Sequence, residues 1–471
     1  MNKILPILFE AQKRMPVSIG LAVGGDMVLT LLFWKLLSDW WRIGGLRYWL
    51  PYGGPDPMIA AMEKGNQLVL TDACIYEACQ WNHSGEAGLA VRAALYAFAN
   101  AQPNRAFRGV LRPERFGPLS EHGVTLSESP ILAQVVDLIG GISVHATVPQ
   151  VSMGHVFTRT VDIFQLYPDL PPPNIAQLMA QLLNPMPGES IYDPVCACGQ
   201  LLLASVNAIA KQHPDHQLVL YGQEIRFNQW AIARMQLLIK GLLCHRLEKT
   251  DALEAPLRAP GTRTLLQFDG VFLVVPDQAM EWDASAVPPD TLGRFPLGVP
   301  QDSRLALVWH ALASLKARTG RLCLLMEVSL LESEAAYPLR RYLIEGNLLE
   351  TVIQLPHKTR RPTDTPTVLM LIRTARNECS AFHTQPPMHS PAVAFISATL
   401  AQLGQHRHRG IYDVREIGFA HAALRKQQTY PFMRQINQEV IARHGYSLAL
   451  ASYDAWLRGT TDEFNIELNQ G

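Results

Sequence analysis

The sequence has little charge and no excess of either sign. Charged residues make up 17% of the 471 positions, and 41 lysines and arginines balance 41 aspartates and glutamates. A histone-like or polybasic nucleic-acid binder is therefore excluded, and any contact with nucleic acid has to come from a local patch or a partner subunit. Hydrophobic residues reach 48%, which is enough to bury a large core and excludes a disordered chain.

Cysteine is scarce in this chain. The seven cysteines are an odd number and thinly spread, without the paired ligand spacing of a zinc site or the density of a secreted disulfide scaffold. We therefore expect no metal site and a protein of the reducing cytoplasm. We also expect no export signal, because MNKILPILFEAQKR carries both charge signs instead of a basic n-region and leads straight into an apolar run.

Long apolar runs are missing except for one. Residues 17–34 are about long enough to span a bilayer, but Asp26 and two consecutive glycines lie at the centre of this run. The predicted structure is a buried helix, and we expect no association with a membrane.

The hydrophobic pattern of the sequence changes twice along the chain. Residues 1–150 mix apolar helical stretches with polar turns. Residues 151–375 include a proline-rich entry, YPDLPPPN, and then alternate short β-rich runs with helical patterns, which indicates βαβ units and a mainly parallel sheet. From 376 to 471 the pattern loosens into a polar segment, one strand-like run (AVAFIS) and helical residues. We predict an N-terminal helical domain, a central α/β domain and a helical C-terminal tail.

One helix of the N-terminal region shows its buried face directly in the sequence. In PILAQVVDLIGGI, period-3.6 spacing places Leu132, Val135, Val136 and Ile139 on one side. This is the pattern of a helix packed in a bundle, and it predicts a structural role without chemistry.

The first strand, turn and helix of the α/β region are the expected ligand site, because open α/β sheets bind ligands where strand ends meet helix starts. In IYDPVCACGQLLLAS, Asp193 ends the strand and Gly199 permits a positive φ or a close ligand approach. Glu224 follows the second strand, where two acceptor oxygens can bind a ribose diol. Asp251 is a third carboxylate at this edge. The alternatives are a turn cap at Asp193, a solvated strand end at Glu224 and a helix N-cap at Asp251.

Taken in order, several segments resemble the modification (methyltransferase) subunit of type I restriction–modification systems. PMPGESIYDPVCACGQLLLA is similar to the cofactor loop of that family, LYGQEIRFNQWAIARMQLLIKG to its second-strand segment and TDAL to its GDTL. RRYLIEGNLLETVIQLP and TPTVLMLI resemble its late strands, ARHGYSLALASYDA its C-terminal NDYNLxxxRY segment, and VLTLLFWKLLSD its helical-domain entry. The resemblance covers nearly the whole chain. It implies a Rossmann-like S-adenosylmethionine-dependent methyltransferase domain that methylates adenine in DNA.

The resemblance also implies roles for single residues. Asp193, Cys196 and Gly199 are implied to line the cofactor turn. Glu224 is implied to bind the ribose of S-adenosylmethionine, and Asp251 to face the amino group of its adenine.

Several cofactor positions depart from the pattern of the family. Pro172 stands where the family has the proline of a Thr-Pro pair, but Pro171 replaces the threonine. Ala197 and Gln200 replace glycines, and Cys198 replaces a serine. Because side chains at these positions narrow the approach of the methionine moiety, we expect cofactor binding to be weakened.

The largest departure lies at the catalytic motif, which in this family is Asn-Pro-Pro followed by an aromatic residue at the end of the fourth strand. The Asn oxygen and the carbonyl of the first proline accept hydrogen bonds from the target amino group, and the aromatic ring stacks on the flipped base. In FDGVFLVVPDQAMEW, Val274 and Val275 replace the first two residues, Pro276 remains and Asp277 replaces the aromatic. A valine side chain accepts no hydrogen bond, so we predict a pseudoenzyme in which methyl transfer is impaired or lost.

The expected partners follow from the same resemblance: DNA, a specificity-like subunit contacted by the C-terminal tail, and a restriction subunit. Lys358, Arg360 and Arg361 lie in a loop between two strands, from which DNA backbone can be approached; a solvated loop is the alternative. Two other functions stay open. One is a non-catalytic scaffold or regulatory partner of a specificity-like subunit, and the other is a methyltransferase that acts on protein or RNA.

Overall fold

The computed structural model describes the following residues: 4–15, 21–42, 75–77, 87–100, 109–116, 130–142, 150–164, 166–167, 170–213, 218–240, 242, 246–285, 291–355, 365–374, 392–398 and 433–453. The chain divides into two compact units. The helical unit consists of Met1–Tyr167, Ala197–Gly199 and Arg226–Lys249, and the sheet unit of Pro168–Cys196, Gln200–Ile225 and Thr250–Gly471.

The α-helices of the described ranges are, in chain order, α1 Ile4–Arg14, α2 Leu21–Arg42, α3 Ala87–Asn100, α4 Pro130–Gly140, α5 Gln150–Phe164, α6 Pro173–Leu183, α7 Gln200–Gln212, α8 Phe227–Ile239, α9 Ser303–Ala313, α10 Val328–Leu331, α11 Tyr337–Glu345 and α12 Gln438–Arg443. The strands are β1 Ser190–Asp193, β2 Val219–Gln223, β3 Arg246–Glu248, β4 Gly270–Val274, β5 Arg321–Glu327, β6 Leu349–Gln354, β7 Thr367–Arg373, β8 Ala392–Ser397 and β9 Met433–Asn437.

Helix α4 confirms the buried face that the sequence pattern predicted. Leu132, Val135, Val136 and Ile139 are each at most 1% exposed. Their spacing places them on one side of the helix, so burying them removes a continuous apolar stripe from water.

Helix α2 contains the one apolar run that approaches the length of a membrane span. By length and composition it is able to cross a membrane, but 83% of the window Leu21–Asp39 is buried inside the protein. Its buried Asp26 accepts a hydrogen bond from the hydroxyl of Tyr167 at 2.6 Å, and its buried Lys35 pairs with Glu77 at 3.2 Å. Partnered polar groups are what a helix in a protein interior requires, in agreement with the predicted buried helix.

The sheet unit is built on a mixed sheet whose strands follow the order β2-β1-β4-β5-β7-β6-β8-β9. The neighbours from β2 to β5 pair in parallel. Strand β7 is antiparallel to both β5 and β6, β6 and β8 are parallel, and β8 and β9 are antiparallel. The predicted parallel sheet therefore holds as far as β5. Beyond it, β7 and β9 run opposite to the other strands, and β6 and β8 run in the same direction as β5.

The segment 376–471, expected to be a helical tail, adds two strands to this sheet. Strand β8 coincides with the strand-like run AVAFIS and is buried at every position. Strand β9 is the correction: its buried residues Met433 and Ile436 are three apart, a spacing shared with a helix face, so five residues of pattern do not separate the two structures. The domain boundaries near 150 and 375 stay predictions.

The position of β1 determines where polar side chains meet. Because β1 lies between β2 and β4, the chain order reverses at β1, and the carboxyl ends of these strands open the crevice in which α/β sheets bind ligands. Strands β4, β5 and β7 are buried almost throughout. We therefore expect ligand-binding side chains at and just after the ends of the described strands.

Candidate functional site

Asp193 ends β1 and is 2% exposed. Its Oδ1 accepts a hydrogen bond from the N–H of Val195 at 3.1 Å, so the side chain closes the turn that follows the strand. Burial raises the pKa of Asp193 to about 7; the Val195 N–H lowers it and the nearby charge of Glu224 raises it further. This carboxyl therefore gains and loses its proton near neutral pH. The predicted position at the strand end and the alternative turn-cap role are both realised.

Two further carboxylates follow neighbouring segments of the same unit. Glu224 comes directly after β2 and is 3% exposed, so it is not the solvated strand end of the alternative interpretation. Asp251 accepts a hydrogen bond from the N–H of Leu253 at 2.7 Å, and its backbone carbonyl accepts one from Ala255 at 2.8 Å. Asp251 thus organises a tight turn rather than the start of a helix.

Pro172 is placed at the N-cap of α6. Its carbonyl accepts hydrogen bonds from the N–H groups of Ile175 at 2.9 Å and Ala176 at 3.0 Å. The bond from Ala176 is the first regular i→i−4 bond of the helix, so the visible contribution of Pro172 is to begin the helix.

The turn after β1 contains two residues with left-handed backbone. Ala197 has φ +48° and Gly199 has φ +77°. A Cβ on Gly199 would lie 3.2 Å from the Cβ of Ala233 on α8. Position 199 therefore favours glycine for two reasons, the left-handed backbone and the short distance to α8. Within the same helical unit, Gln236 donates to the Cys198 carbonyl at 2.6 Å. Cys196, on the sheet-unit side of the turn, donates its N–H to the Gln223 carbonyl at 2.9 Å.

Replacing Ala197 by glycine is expected to stabilise the protein, because the present alanine occupies a backbone region that favours glycine. We expect the free energy of unfolding to rise by roughly 0.5–1 kcal/mol, as measured by urea denaturation. The matched control is Ala208→Gly within α7, where ordinary helical backbone makes the same change cost about 1 kcal/mol. A loss of stability in both variants would contradict the left-handed assignment of Ala197.

The end of β4 holds the four residues of the altered catalytic motif. Val274 is the last strand residue and is half-buried, and Val275 is 2% exposed. The N–H of Val275 donates to the Leu325 carbonyl on β5 at 2.9 Å. A proline at this position has no N–H, so this bond depends on the replacement of proline by valine.

Arg304, at the start of α9, contacts the motif. Its Nη1 donates to the backbone carbonyl of Asp277 at 3.1 Å, and its Nε and Nη2 hold Asp302 at 3.0 and 2.6 Å. The hydrogen bond with Asp302, aided by the charges of Asp302, Glu327 and Asp277, raises the pKa of Arg304. The segment after Pro276 is thus tied to a charged group, where a methylase of this motif presents an aromatic ring. Because Arg304 donates to the backbone carbonyl of Asp277, which every residue type carries, no signal in the sequence predicts this contact.

Strand β5 also ends in a carboxylate. Glu327 accepts a hydrogen bond from the Thr365 hydroxyl at 2.6 Å. The three basic residues proposed to approach DNA, Lys358, Arg360 and Arg361, lie outside the described residues. The structure therefore brings Asp193, Glu224, Asp251 and the end of β4 to one edge of the sheet unit and leaves the basic loop as a prediction.

Comparison with known families identifies one match over this part of the chain. A profile of the family described as N-6 DNA Methylase matches residues 170–458, which is more than half of the 471 residues. The matched range contains every candidate site residue named above.

Solved structures with the same fold cover almost the entire chain. A type I restriction–modification system methyltransferase subunit from Streptococcus thermophilus is 17% identical with a TM-score of 0.73, covering 96% of this chain and 99% of that one. A modification subunit of a putative type I restriction enzyme from Vibrio vulnificus YJ016 is 15% identical with a TM-score of 0.64, covering 94% and 93%. A chain from a study of assembly and conformational transition of the type I R-M system is 17% identical with a TM-score of 0.62, covering 99% and 93%. At these identities the likeness shows a shared fold.

Proposed function

The chain belongs to the N-6 DNA methylase family, and we propose that it is the modification-subunit-like component of a type I restriction–modification or related defence system in which methyl transfer to adenine is impaired or lost. The fold shared with modification and methyltransferase subunits over at least 94% of this chain supports the first part. The observation that carries the second part is the end of β4, where Val274 occupies the position that requires a hydrogen-bond acceptor.

Loss of the acceptor has a direct chemical consequence. In this reaction an amide oxygen accepts a hydrogen bond from the adenine amino group, which leaves the nitrogen lone pair free to attack. The Val274 side chain offers no such oxygen, and Asp277 offers a carboxylate where a ring stacks on the flipped base. Removing one preorganised hydrogen-bond partner and a stacking ring costs at least about 100-fold in rate. We therefore propose that this protein has kept the methyltransferase fold while its capacity for methyl transfer to adenine has been reduced.

The side chains at the edge of the sheet unit suit S-adenosylmethionine. This cofactor presents hydroxyl and amino donors and, when bound, supplies an electrophilic methyl group. Asp193, Glu224 and Asp251 are carboxyl groups at or just after consecutive strand ends, and carboxylate oxygens accept hydrogen bonds from such donors. We propose that Glu224 holds the ribose hydroxyls and Asp251 the adenine amino group. Asp193 and Cys196 hold the methionine end.

The proposal includes partners that the chain itself does not contain. We propose that DNA and a specificity-like subunit bind this protein, together with a restriction subunit where the system is complete. We also propose a cytoplasmic location. The support for this location is the small and odd number of cysteines in the sequence, which is unlike a secreted disulfide scaffold.

Calorimetric titration with S-adenosylmethionine tests the cofactor part of this proposal. We expect the purified chain to bind the cofactor in the micromolar range, and Glu224→Ala to weaken binding at least about 10-fold, because the ribose loses a charge-assisted acceptor. The matched control is Glu254→Ala, which removes an exposed carboxylate from the neighbouring turn and is expected to leave the Kd unchanged. Equal loss of binding in both variants, or no binding by the unmodified chain, would contradict the assigned pocket.

Two other functions predict different results. A scaffold that works without cofactor predicts that Asp193→Ala and Glu224→Ala leave the complex with a specificity-like subunit intact. A methyltransferase with another nucleophile predicts labelling of protein or RNA by methyl-labelled cofactor, with DNA unlabelled. If the unmodified protein methylates adenine in DNA and the Glu224→Ala variant does not, the proposal that catalysis is lost would be overturned.

A further inference from the structure

A chain of buried hydrogen bonds runs beneath the carboxylates of the sheet unit. The Tyr192 hydroxyl donates to Oε1 of Gln223 at 2.6 Å, and Nε2 of Gln223 donates to the Thr250 hydroxyl at 2.7 Å. His310, on α9, meets the other side of the Tyr192 oxygen through Nε2 at 3.0 Å. Tyr192, Gln223 and His310 are completely buried. These hydrogen bonds thus connect β1, β2, the turn after residue 249 and α9.

The members of this hydrogen-bonded chain are placed in a regular way. Three of them immediately precede, in sequence, the three carboxylates that are proposed to hold the cofactor: Tyr192 precedes Asp193, Gln223 precedes Glu224 and Thr250 precedes Asp251. Each pair is joined by a peptide bond, and Tyr192 and Gln223 stand at the ends of β1 and β2. A hydrogen bond that fixes the first residue of a pair therefore restrains the backbone from which the carboxylate of the second residue projects.

The direction of each bond follows from counting donors and acceptors. Nε2 of Gln223 also donates to the backbone carbonyl of Ala255 at 2.8 Å, and a carbonyl only accepts, so the amide orientation of Gln223 is determined. Oε1 of Gln223 must then accept the single hydroxyl hydrogen of Tyr192. The Tyr192 oxygen is left as an acceptor, so Nε2 of His310 carries the proton and Nδ1 does not. Every link of the chain therefore has one possible direction.

The hydrogen-bonded chain keeps this arrangement at all ordinary pH values. Burial, together with the charge of Arg294, lowers the pKa of His310 to about 3, so the imidazole stays neutral. Gln223 adds a backbone contact, because its carbonyl accepts the N–H of Cys196 at 2.9 Å. Buried polar groups left without partners are costly, so the loss of one link moves its neighbours.

We propose that Tyr192, Gln223 and Thr250 are positioning residues that set the spacing of Asp193, Glu224 and Asp251 for cofactor binding, with His310 holding the end of the hydrogen-bonded chain. None of the four contacts the cofactor in this scheme. The inference rests on the proposed function, because it assigns a purpose to the spacing of carboxylates that bind S-adenosylmethionine. It goes further by making the affinity of the pocket depend on a buried amide and a buried phenol.

The test is calorimetric titration with S-adenosylmethionine of Tyr192→Phe and Gln223→Leu, at a temperature at which every variant is folded. We expect each change to weaken the Kd at least about 10-fold, because the carboxylates lose their fixed spacing. The control variant is Ser190→Ala, which removes the 2.7 Å hydrogen bond from Ser190 to Asp269 at the opposite end of β1. It is expected to lower the melting temperature while leaving the Kd unchanged.

Conservative substitution at Thr250 separates positioning from general stability. Thr250→Ser keeps a hydroxyl that accepts from Gln223, and its Kd for the cofactor is expected to lie within about twofold of that of the unmodified chain. Thr250→Val keeps the side-chain volume but loses the acceptor, and we expect its Kd to be several-fold weaker. Equal affinities for the serine and valine variants, with Tyr192→Phe also unchanged, would overturn the inference while leaving cofactor binding itself intact. Failure of the unmodified chain to bind would instead overturn the proposed function, and this inference with it.

Discussion

Replacing Val274 by Asn and Asp277 by Phe in one chain is expected to raise methyl transfer to adenine by at least about 100-fold over the unmodified protein. The asparagine returns an oxygen that accepts a hydrogen bond from the target amino group, and the phenylalanine returns a ring on which the extruded base stacks. Both positions lie at or just after the end of β4, so the restored groups enter at the crevice beside β1.

The structure shows why Val275 is best left in place. The proline that the family carries there contributes its backbone carbonyl, which valine also has. The N–H of Val275 donates to the Leu325 carbonyl at 2.9 Å, and proline would remove this bond at a cost of about 1 kcal/mol. The double variant is therefore the smallest restoration that keeps the sheet intact.

The measurement is transfer of label from methyl-labelled S-adenosylmethionine to genomic DNA that lacks adenine methylation, because such DNA offers every recognition sequence. Val274→Leu combined with Asp277→Phe is the matched control, since leucine has nearly the shape of asparagine without the oxygen. Label should appear with the asparagine variant alone. If the asparagine variant binds the cofactor and DNA as the unmodified protein does and transfers no label, the motif is not what limits this protein.

Asp193→Asn is expected to remove a pH dependence of stability from the protein. The pKa of Asp193 is raised by burial to about 7 from the model-compound value of 3.8. A group with a raised pKa in the folded state contributes stability that is fully present below the unfolded pKa and is lost as the pH rises through the folded pKa. For Asp193 this loss amounts to about 4 kcal/mol in all, of which roughly 3 kcal/mol falls between pH 5 and pH 8.

Asparagine keeps the Oδ1 acceptor for the N–H of Val195 and carries no charge. We therefore expect the stability of Asp193→Asn relative to the unmodified protein to grow by roughly 3 kcal/mol from pH 5 to pH 8, as measured by urea denaturation across this range. Asp269→Asn is the control. Burial raises the pKa of Asp269, but hydrogen bonds from Lys316 and Ser190 outweigh this and lower it. The effect of this second substitution is therefore constant between pH 5 and pH 8. Parallel pH profiles for the two variants would show that Asp193 is already ionised at pH 5.

Local pattern was sufficient for most elements of the α/β region. The predicted strand before Asp193 is β1, and the predicted strand before the altered motif is β4, whose buried residues form a continuous hydrophobic run. Period-3.6 spacing predicted the buried face of α4. Pattern failed at β9, whose few residues carry the spacing of a helix, and it did not predict that β7 runs antiparallel to both of its neighbours. Strand direction depends on pairing partners that are distant in sequence.

At the candidate site, too, some features follow from the sequence and others only from the tertiary structure. The sequence by itself determined which residue types are available: carboxylates at strand ends, glycine in the turn, and valine and aspartate in the altered motif. Only the tertiary structure decided their environment. It buried Asp193 beside Glu224 and so moved the pKa of Asp193, tied Arg304 to the segment after β4, and joined Tyr192 to Gln223 beneath the site. The physical reason is that burial, charge proximity and hydrogen bonding act between residues that are far apart along the chain and meet only when the sheet forms.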